Sequence, residues 1–174
     1  SNHIREKDGV WAVLFWLNVL AVRREPAAAI LADHWRRYGR NFYARHDFEG
    51  LPADAASRLI ERLRLGLADL TGRRIAGFAT TAADEFAYTD PVDGSVTERQ
   101  GIRIELEGDS RIVYRLSGTG TEGATLRIYL ERFEPDPARH AVAPEAVLAP
   151  LATAAASLAD IPGILGRSRP DVVA

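Results

Sequence analysis

Two arginines flank a glycine-rich stretch of the sequence. In "RIVYRLSGTGTEGATLRIYLE", residues 111–131, Arg115 precedes the glycines and Arg127 follows them. Guanidinium groups match the geometry of phosphate, and glycines let backbone N–H groups turn toward an anion. Ser117 and Thr119 add hydroxyl groups. The stretch predicts a binding site for a phosphate or carboxylate, and the alternative is a flexible hairpin with two solvated arginines.

The glycines also match a dinucleotide-binding pattern. Gly118, Gly120 and Gly123 satisfy G-x-G-x-x-G, but that fingerprint requires a strand before the glycines and a helix after them. Residues 124–131 alternate between apolar and polar types, which is typical of a strand. The sequence therefore disfavours a nicotinamide dinucleotide site. A P-loop is also excluded, because no Lys-Ser or Lys-Thr pair closes the stretch.

The alternating segments predict the scaffold of this site. Residues 74–81, 85–90, 101–107, 111–117 and 124–132 each alternate, and turn residues separate them, which indicates five short strands in an antiparallel meander. If two of these strands form a hairpin around the glycines, Arg115 and Arg127 share one face. Like charges opposite each other are unfavourable unless an anion lies between them. The pairing thus strengthens the prediction of an anion site.

Helices are predicted on both sides of the meander. Helical spacing or capping residues indicate helices over 9–23, from Pro26 to Gly39, over 52–70 and over 145–160, where Pro150 is expected to kink or restart the last of them. Residues 40–50 read as a strand or an extended connection. The fold class is α+β, an antiparallel sheet meander flanked by helices.

Composition excludes several functional classes. Hydrophobic residues make up 47% and charged residues 26%, as in an ordinary globular protein. The net charge of -2 gives no global field toward nucleic acid or membrane, so neither is expected as a partner. The absence of Cys excludes disulfides and thiolate metal sites and fits a reducing compartment. A cytoplasmic location is predicted.

The apolar run at residues 10–22 is read as a helix of a soluble protein. It follows basic residues, as in a signal peptide, but it is shorter than the roughly 20 residues that span a bilayer and no small-residue cleavage site follows it. Such a helix is apolar on nearly every side, so we expect burial on more than one face. The chain begins with Ser1 instead of Met, which suggests a piece of a longer protein.

Several stretches together resemble one family. They are "SNHIREKDGVWAVLFWLNVLA" (1–21), "DHWRRYGRNFYARHDFE" (33–49), "FAYTDPVDGSVTERQGIRI" (86–104), the glycine-rich stretch, and "LAPLATAAASLADIPGILGRSRPDVVA" (148–174). In this order they resemble the C-terminal part of the α-phosphoglucomutases, in the α-D-phosphohexomutase superfamily. The resemblance implies that residues 1–39 are the helical tail of the third domain and residues 40–174 the fourth domain. The apolar first helix would then pack on a sheet of the third domain.

The resemblance also assigns roles to residues. It implies that the fourth-domain loop binds the phosphate of the phosphosugar that is not reacting, through Arg115, Ser117, Gly118, Thr119 and Arg127. Lys7, in "REKDG", is a candidate for proton handling or substrate contact, with a solvated surface lysine as the alternative. His3 and Arg5, which stand beside it, are interpreted as surface or ion-pairing groups.

The activity that the resemblance implies is phosphoglucomutase activity, an isomerase reaction by phosphoryl transfer. A phosphoserine converts glucose 1-phosphate to glucose 6-phosphate through glucose 1,6-bisphosphate, with Mg²⁺ as cofactor. The sequence lacks the family's phosphoserine, metal and sugar loops, and "EGDSR" at 107–111 is only a faint echo of the metal loop in a hairpin turn. This chain alone is therefore expected to be inactive and to depend on the remaining domains. The alternative is a non-catalytic phosphate-binding or interaction module with the same fold, which a gene starting near Ser1 would favour.

Overall fold

The computed structural model of the chain describes residues 7–120 and 123–174, and for residues 118–120 the backbone alone. Helices and strands are numbered in chain order. The helices are α1 (Gly9–Arg23), α2 (Ala27–Tyr38), α3 (Ala53–Gly66), α4 (Pro144–Leu158) and α5 (Ile161–Leu165). The strands are β1 (Arg40–Leu51), β2 (Arg74–Ile75), β3 (Phe78–Thr89), β4 (Val96–Leu106), β5 (Ser110–Gly120), β6 (Gly123–Glu134) and β7 (Val172–Val173). The chain divides into two compact units, Ser1–Arg40 with Pro135–His140, and Asn41–Glu134 with Ala141–Ala174.

Helix α1 forms over the predicted residues. The Asp8 side chain accepts a hydrogen bond from the Trp11 amide at 3.0 Å, and Arg24, with a left-handed φ of 52°, donates from its amide to the Leu20 carbonyl. None of its residues is buried. Its large side chains are therefore exposed in this chain, contrary to the expectation of burial; they are Val10, Trp11, Val13, Leu14, Phe15, Trp16, Leu17 and Val22.

Neighbouring strands of the sheet run antiparallel in the pairs β2–β3, β3–β4, β4–β5, β5–β6 and β1–β7. Its seven strands among the described residues follow the order β2-β3-β4-β5-β6-β1-β7. Strands β3, β4, β5 and β6 are consecutive neighbours, which confirms the predicted meander. Residues 40–50, which the sequence predicted to be a strand or an extended connection, lie in strand β1, and this strand is the neighbour of β6 in the sheet. The α+β class is confirmed.

The two faces of the sheet differ because side chains alternate along each strand. Strands β4 to β6 contribute even-numbered residues to one hydrophobic core with residues of α3, α4 and α5; these strand residues are Ile102, Ile104, Leu106, Ile112, Tyr114, Ala124, Leu126, Ile128 and Leu130. Tyr114 is fully buried, its hydroxyl donates to the Ala155 carbonyl in α4 at 2.9 Å, and burial raises the pKa of the phenol. Odd-numbered residues of β4 to β6 form the other face, called the open face below.

An ion pair joins α3 to β3. Arg64 donates from Nε and Nη2 to the two carboxylate oxygens of Glu85, at 2.9 and 2.8 Å. These charge-assisted bonds hold the pKa of the Glu85 carboxyl below its ordinary value. The bidentate geometry fixes the position of the helix on the strand.

Two sequence-based expectations were wrong in detail. The segments 74–81 and 85–90 were predicted as separate strands, but a tight turn at Ala76 and Gly77 ends β2 after two residues, and β3 then continues without interruption to Thr89. No Gly or Pro lies between Thr81 and Glu85, and Asp84, the one residue there that is common in turns, is instead bonded across the sheet to Arg103 of β4. Helix α4 also does not restart at Pro150, which lies inside a single helix.

Candidate functional site

The glycine-rich stretch is the tip of the β5–β6 hairpin. Gly120 pairs with Gly123 across the two residues between the strands. Strand β6 begins at Gly123 itself, so no helix follows the glycines. The geometry required for a dinucleotide site is absent from this hairpin, as the alternating pattern predicted.

Arg115 and Arg127 lie directly opposite each other in this hairpin. The predicted sharing of one face is therefore confirmed. Other charged residues that face each other across β3 to β6 are opposite in sign; they are Asp84 with Arg103, Glu105 with Arg111, and Arg111 with Glu131. Like charges in direct opposition destabilise a sheet. Arg115 and Arg127 are thus a pair of like charges among cross-strand pairs that otherwise join opposite charges.

Arg115 is exposed and is bonded to β4. Its Nε donates to the Gln100 carbonyl at 3.0 Å, and its Nη2 donates to the Gln100 side-chain oxygen at 3.1 Å. A guanidinium carries five N–H donors, so several remain available to a ligand. Both acceptors are neutral, and no carboxylate among residues 7–120 and 123–174 forms an ion pair with Arg115.

Arg127 is more enclosed than Arg115. Its side chain is 41% exposed, and its Nε lies 3.9 Å from the Asp47 carboxylate of β1. That Nε is buried and has no hydrogen-bond partner among the described residues. Asp47 itself is buried and accepts a hydrogen bond from Arg45 at 2.8 Å. One carboxylate is therefore shared by two arginines, and the region retains a positive charge.

The hairpin residues beyond the arginines are described in part. Ser117 lies opposite Thr125, and its hydroxyl donates to the Thr125 carbonyl at 3.5 Å, the limit of a hydrogen bond. The backbone of Gly118 and Thr119 continues β5, whereas the Thr119 side chain lies outside the described residues. Gly118 and Thr119 are thus strand residues, and the connection between the strands is shorter than the glycine loop predicted from the sequence.

Gly123 brings the hairpin against the end of β1. Its φ of +92° is in the left-handed region, and a Cβ atom built there would lie 3.1 Å from the Gly50 carbonyl carbon and from the Leu51 carbonyl oxygen. A side chain would strain the backbone and crowd β1. Glycine at this position therefore permits the close approach of the two strands.

A cleft of about 480 Å³ on the open face includes the Arg115 side chain in its lining. Aromatic residues from three strands contribute to it, namely Tyr43, Phe86 and Tyr129. Space for a ligand larger than an inorganic anion is thus present beside this arginine.

The other predicted residues lie apart from the hairpin in the sequence. Lys7 is exposed and directly precedes the Asp8 cap of α1. His3 and Arg5 lie outside the described residues. In the "EGDSR" segment, residues 107–109 form the turn between β4 and β5, and Ser110 and Arg111 begin β5. Among the residues that the structure describes, no three His, Cys, Asp or Glu side chains are placed to hold a metal ion.

Sequence reasoning missed three residues of this site. Gln100, Gly101 and Asp47 contact the arginines or lie against them, yet they are distant from the glycine-rich stretch in the sequence. The register of β4 against β5 could have indicated Gln100 and Gly101, since Gly101 begins an alternating segment and Gln100 directly precedes it. Nothing in the sequence signals Asp47, because its strand does not alternate regularly.

Comparison with known proteins assigns the chain to a family. A family model described as "Phosphoglucomutase-1, C-terminal domain" matches residues 40–171, and one described as "Phosphoglucomutase/phosphomannomutase, alpha/beta/alpha domain III" matches residues 1–38. Both describe domains of phosphosugar mutases. The chain belongs to the phosphoglucomutase family.

Individual relatives agree with this assignment. The phosphoglucomutase of Rhizobium radiobacter is 54% identical over 173 residues, covering 99% of this chain and 32% of the relative. Human Phosphoglucomutase-1 is 42% identical over 179 residues, with 99% and 32% covered. This chain therefore spans about a third of the length of these curated relatives.

A solved structure shares the fold. The open form of pp63/parafusin, a phosphoglucomutase from Paramecium, matches with a TM-score of 0.87 and 37% sequence identity, covering 100% of this chain and 30% of that one. The predicted resemblance is confirmed. Among the described residues, none of the helices combines the length and the apolar character needed to cross a membrane.

Proposed function

We propose that this chain is the substrate-phosphate-binding C-terminal part of a phosphoglucomutase. In this proposal residues 1–39 are the helical tail of the third domain, residues 40–174 are the fourth domain, and a longer protein supplies the remaining domains. The exposed apolar side chains of α1 support it, because large exposed apolar patches mark surfaces that contact another part of a protein. A cytoplasmic location remains a prediction from the Cys-free composition.

The single observation that carries the proposed site is the opposition of Arg115 and Arg127. An anion between the two guanidinium groups would remove the repulsion, and each can donate two hydrogen bonds to a phosphate. Ser117, Gly118 and Thr119 lie on the same strand, and we propose that they contribute hydroxyl and backbone N–H donors to that anion. The ligand proposed is the phosphate of a phosphorylated hexose.

The proposed reaction of the longer protein interconverts glucose 1-phosphate and glucose 6-phosphate through a phosphoserine and glucose 1,6-bisphosphate. Because the bisphosphate must turn round between the two transfers, the remote phosphate site has to accept either phosphate. Two arginines meet that requirement, since they bind the phosphate without contacting the sugar. Closure of a domain over the bound sugar would exclude water and suppress hydrolysis.

Magnesium is proposed for the longer protein and not for this chain. The described residues offer no cluster of metal ligands, so this part of the protein is assigned no step that involves the metal. Lys7 remains a candidate for proton handling or substrate contact.

We expect inorganic phosphate and glucose 6-phosphate to bind weakly to the chain, and Arg115→Ala or Arg127→Ala to weaken that binding at least tenfold, since each removes a charge-assisted contact. Arg111→Ala is the matched control, because Arg111 lies on the same strand and face but is already paired with Glu131 at 2.6 Å. Titration calorimetry and NMR titration measure the affinities. Equal affinities for the wild type and both site variants would remove the site assignment.

We also expect no steady mutase turnover by this chain, because the family's phosphoserine, metal and sugar loops are missing from its sequence. A coupled assay for formation of glucose 6-phosphate from glucose 1-phosphate measures it, with a complete phosphoglucomutase as the positive control. Sustained turnover proportional to the concentration of the chain would contradict the proposal.

A further inference from the structure

Arg115 differs from its neighbours in the kind of group that holds it. Arg103 is bonded to both oxygens of Asp84, at 3.0 and 2.7 Å. Arg111 is bonded to Glu131 at 2.6 Å. Each of these arginines therefore has its charge matched by a carboxylate on an adjacent strand.

Gln100 holds Arg115 without matching its charge. The backbone carbonyl and the side-chain carbonyl of this one residue accept from Nε and Nη2, at 3.0 and 3.1 Å, so two points fix the plane of the guanidinium. A carboxylate at the same place would orient the group equally well. It would also compete with any anion for the positive charge.

Gly101 of β4 leaves room for the Arg115 side chain because it has no side chain of its own. A Cβ atom at Gly101 would lie 2.9 Å from Arg115 Cγ and 3.0 Å from Phe86 Cε1. The stem of the arginine thus lies across the glycine, and its head reaches the preceding residue, Gln100. Residues 100 and 101 act together on one side chain.

We propose that Gln100 is a positioning residue that orients Arg115 through neutral acceptors and so leaves its charge available to the bound phosphate. The proposal rests on the proposed function, since it concerns the same phosphate. Phosphate binding would then require more than the two arginines. The side chain at position 100 would also have to accept a hydrogen bond and carry no charge.

Three variants distinguish the effect of Arg115 orientation from the effect of an added negative charge. Gln100→Ala removes the side-chain acceptor, and Gln100→Glu keeps an acceptor but adds a negative charge. Thr97→Glu is the charge control, since Thr97 is exposed on the same strand, lies opposite Tyr88 and is not bonded to Arg115. Gln100 is the only glutamine in the sequence, so selective labelling isolates its side-chain amide signal in NMR spectra.

We expect Gln100→Ala and Gln100→Glu each to weaken the binding of inorganic phosphate by about tenfold, and Thr97→Glu by less than about twofold. In the phosphate-free protein, the Nη2–H signal of Arg115 should persist in the wild type and Gln100→Glu and should shift or broaden in Gln100→Ala, because only Nη2 donates to the side chain of residue 100. Affinity unchanged in Gln100→Glu, or an Arg115 signal unchanged in Gln100→Ala, would overturn the proposal. Lack of phosphate binding by the wild type would instead contradict the proposed function, and the Nη2–H signal would still decide whether the Gln100 side chain holds Arg115.

Discussion

Replacing Tyr114 with alanine is expected to lower the free energy of unfolding by about 4 kcal/mol, because it empties a large fully buried site. Tyr114 is 0% exposed, and its side chain belongs to the core on the helix-covered face of β5. The substitution also removes the hydroxyl bond to Ala155, which connects the sheet to α4. Chemical denaturation followed by circular dichroism measures the loss.

Two control variants test the origin of this effect. Tyr114→Phe removes only the hydroxyl, so a loss of about 1 kcal/mol is expected. Tyr43→Ala removes the same side chain at a position that is 75% exposed, where little change is expected. A Tyr114→Ala variant no less stable than Tyr43→Ala would show that the phenol ring does not contribute to a packed core.

Gly101→Ala is expected to destabilise the protein by about 2 to 3 kcal/mol, because the added methyl group overpacks a site that has no room. The Cβ atom would lie 2.5 Å from the Tyr114 carbonyl oxygen, which belongs to the backbone of β5 and cannot rotate away. Either β4 or β5 has to move. Since Arg115 is the next residue on β5, its orientation should change as well, and phosphate affinity should fall together with stability.

Gly66→Ala provides the comparison. Gly66 is the last residue of α3, and a Cβ atom there would have no neighbour within 4 Å among the described residues. Alanine is the better helix former, so stability should stay the same or rise slightly. If the melting temperatures of both variants equalled that of the wild type, the predicted clash between Gly101 and β5 would be contradicted.

The periodicity of the sequence predicted most elements of the fold. Helix α1 has the predicted bounds, and the alternation of residues 111–117 and 124–132 correctly predicted that Arg115 and Arg127 share one face of the hairpin. The division of residues 74–90 into two strands was wrong, because alternation reports which residues face the core but not where a strand ends. Strand ends depend on turns, and the turn at Ala76 is unusual, since it places a residue other than glycine at a φ of 52°.

The composition of the site was less predictable than its location. A sequence pattern can place two arginines on one face of a hairpin, but it does not report which strands become the neighbours of that hairpin. Gln100 reaches Arg115 from β4, and Asp47 reaches Arg127 from β1, which is distant in the sequence and adjacent in the sheet. Long-range strand order is therefore what the sequence alone did not provide.

The placement of Arg115 and Arg127 on one hairpin determines how the two side chains move relative to each other. Arg115 and Arg127 belong to two strands that pair without a register shift from Arg111 to Ser117, so no hinge lies between their backbones. Any movement of the sheet as a rigid body would carry both guanidinium groups together, and the distance between them would not change. An anion held there would keep both contacts throughout such a movement, and only the surroundings of the anion would vary.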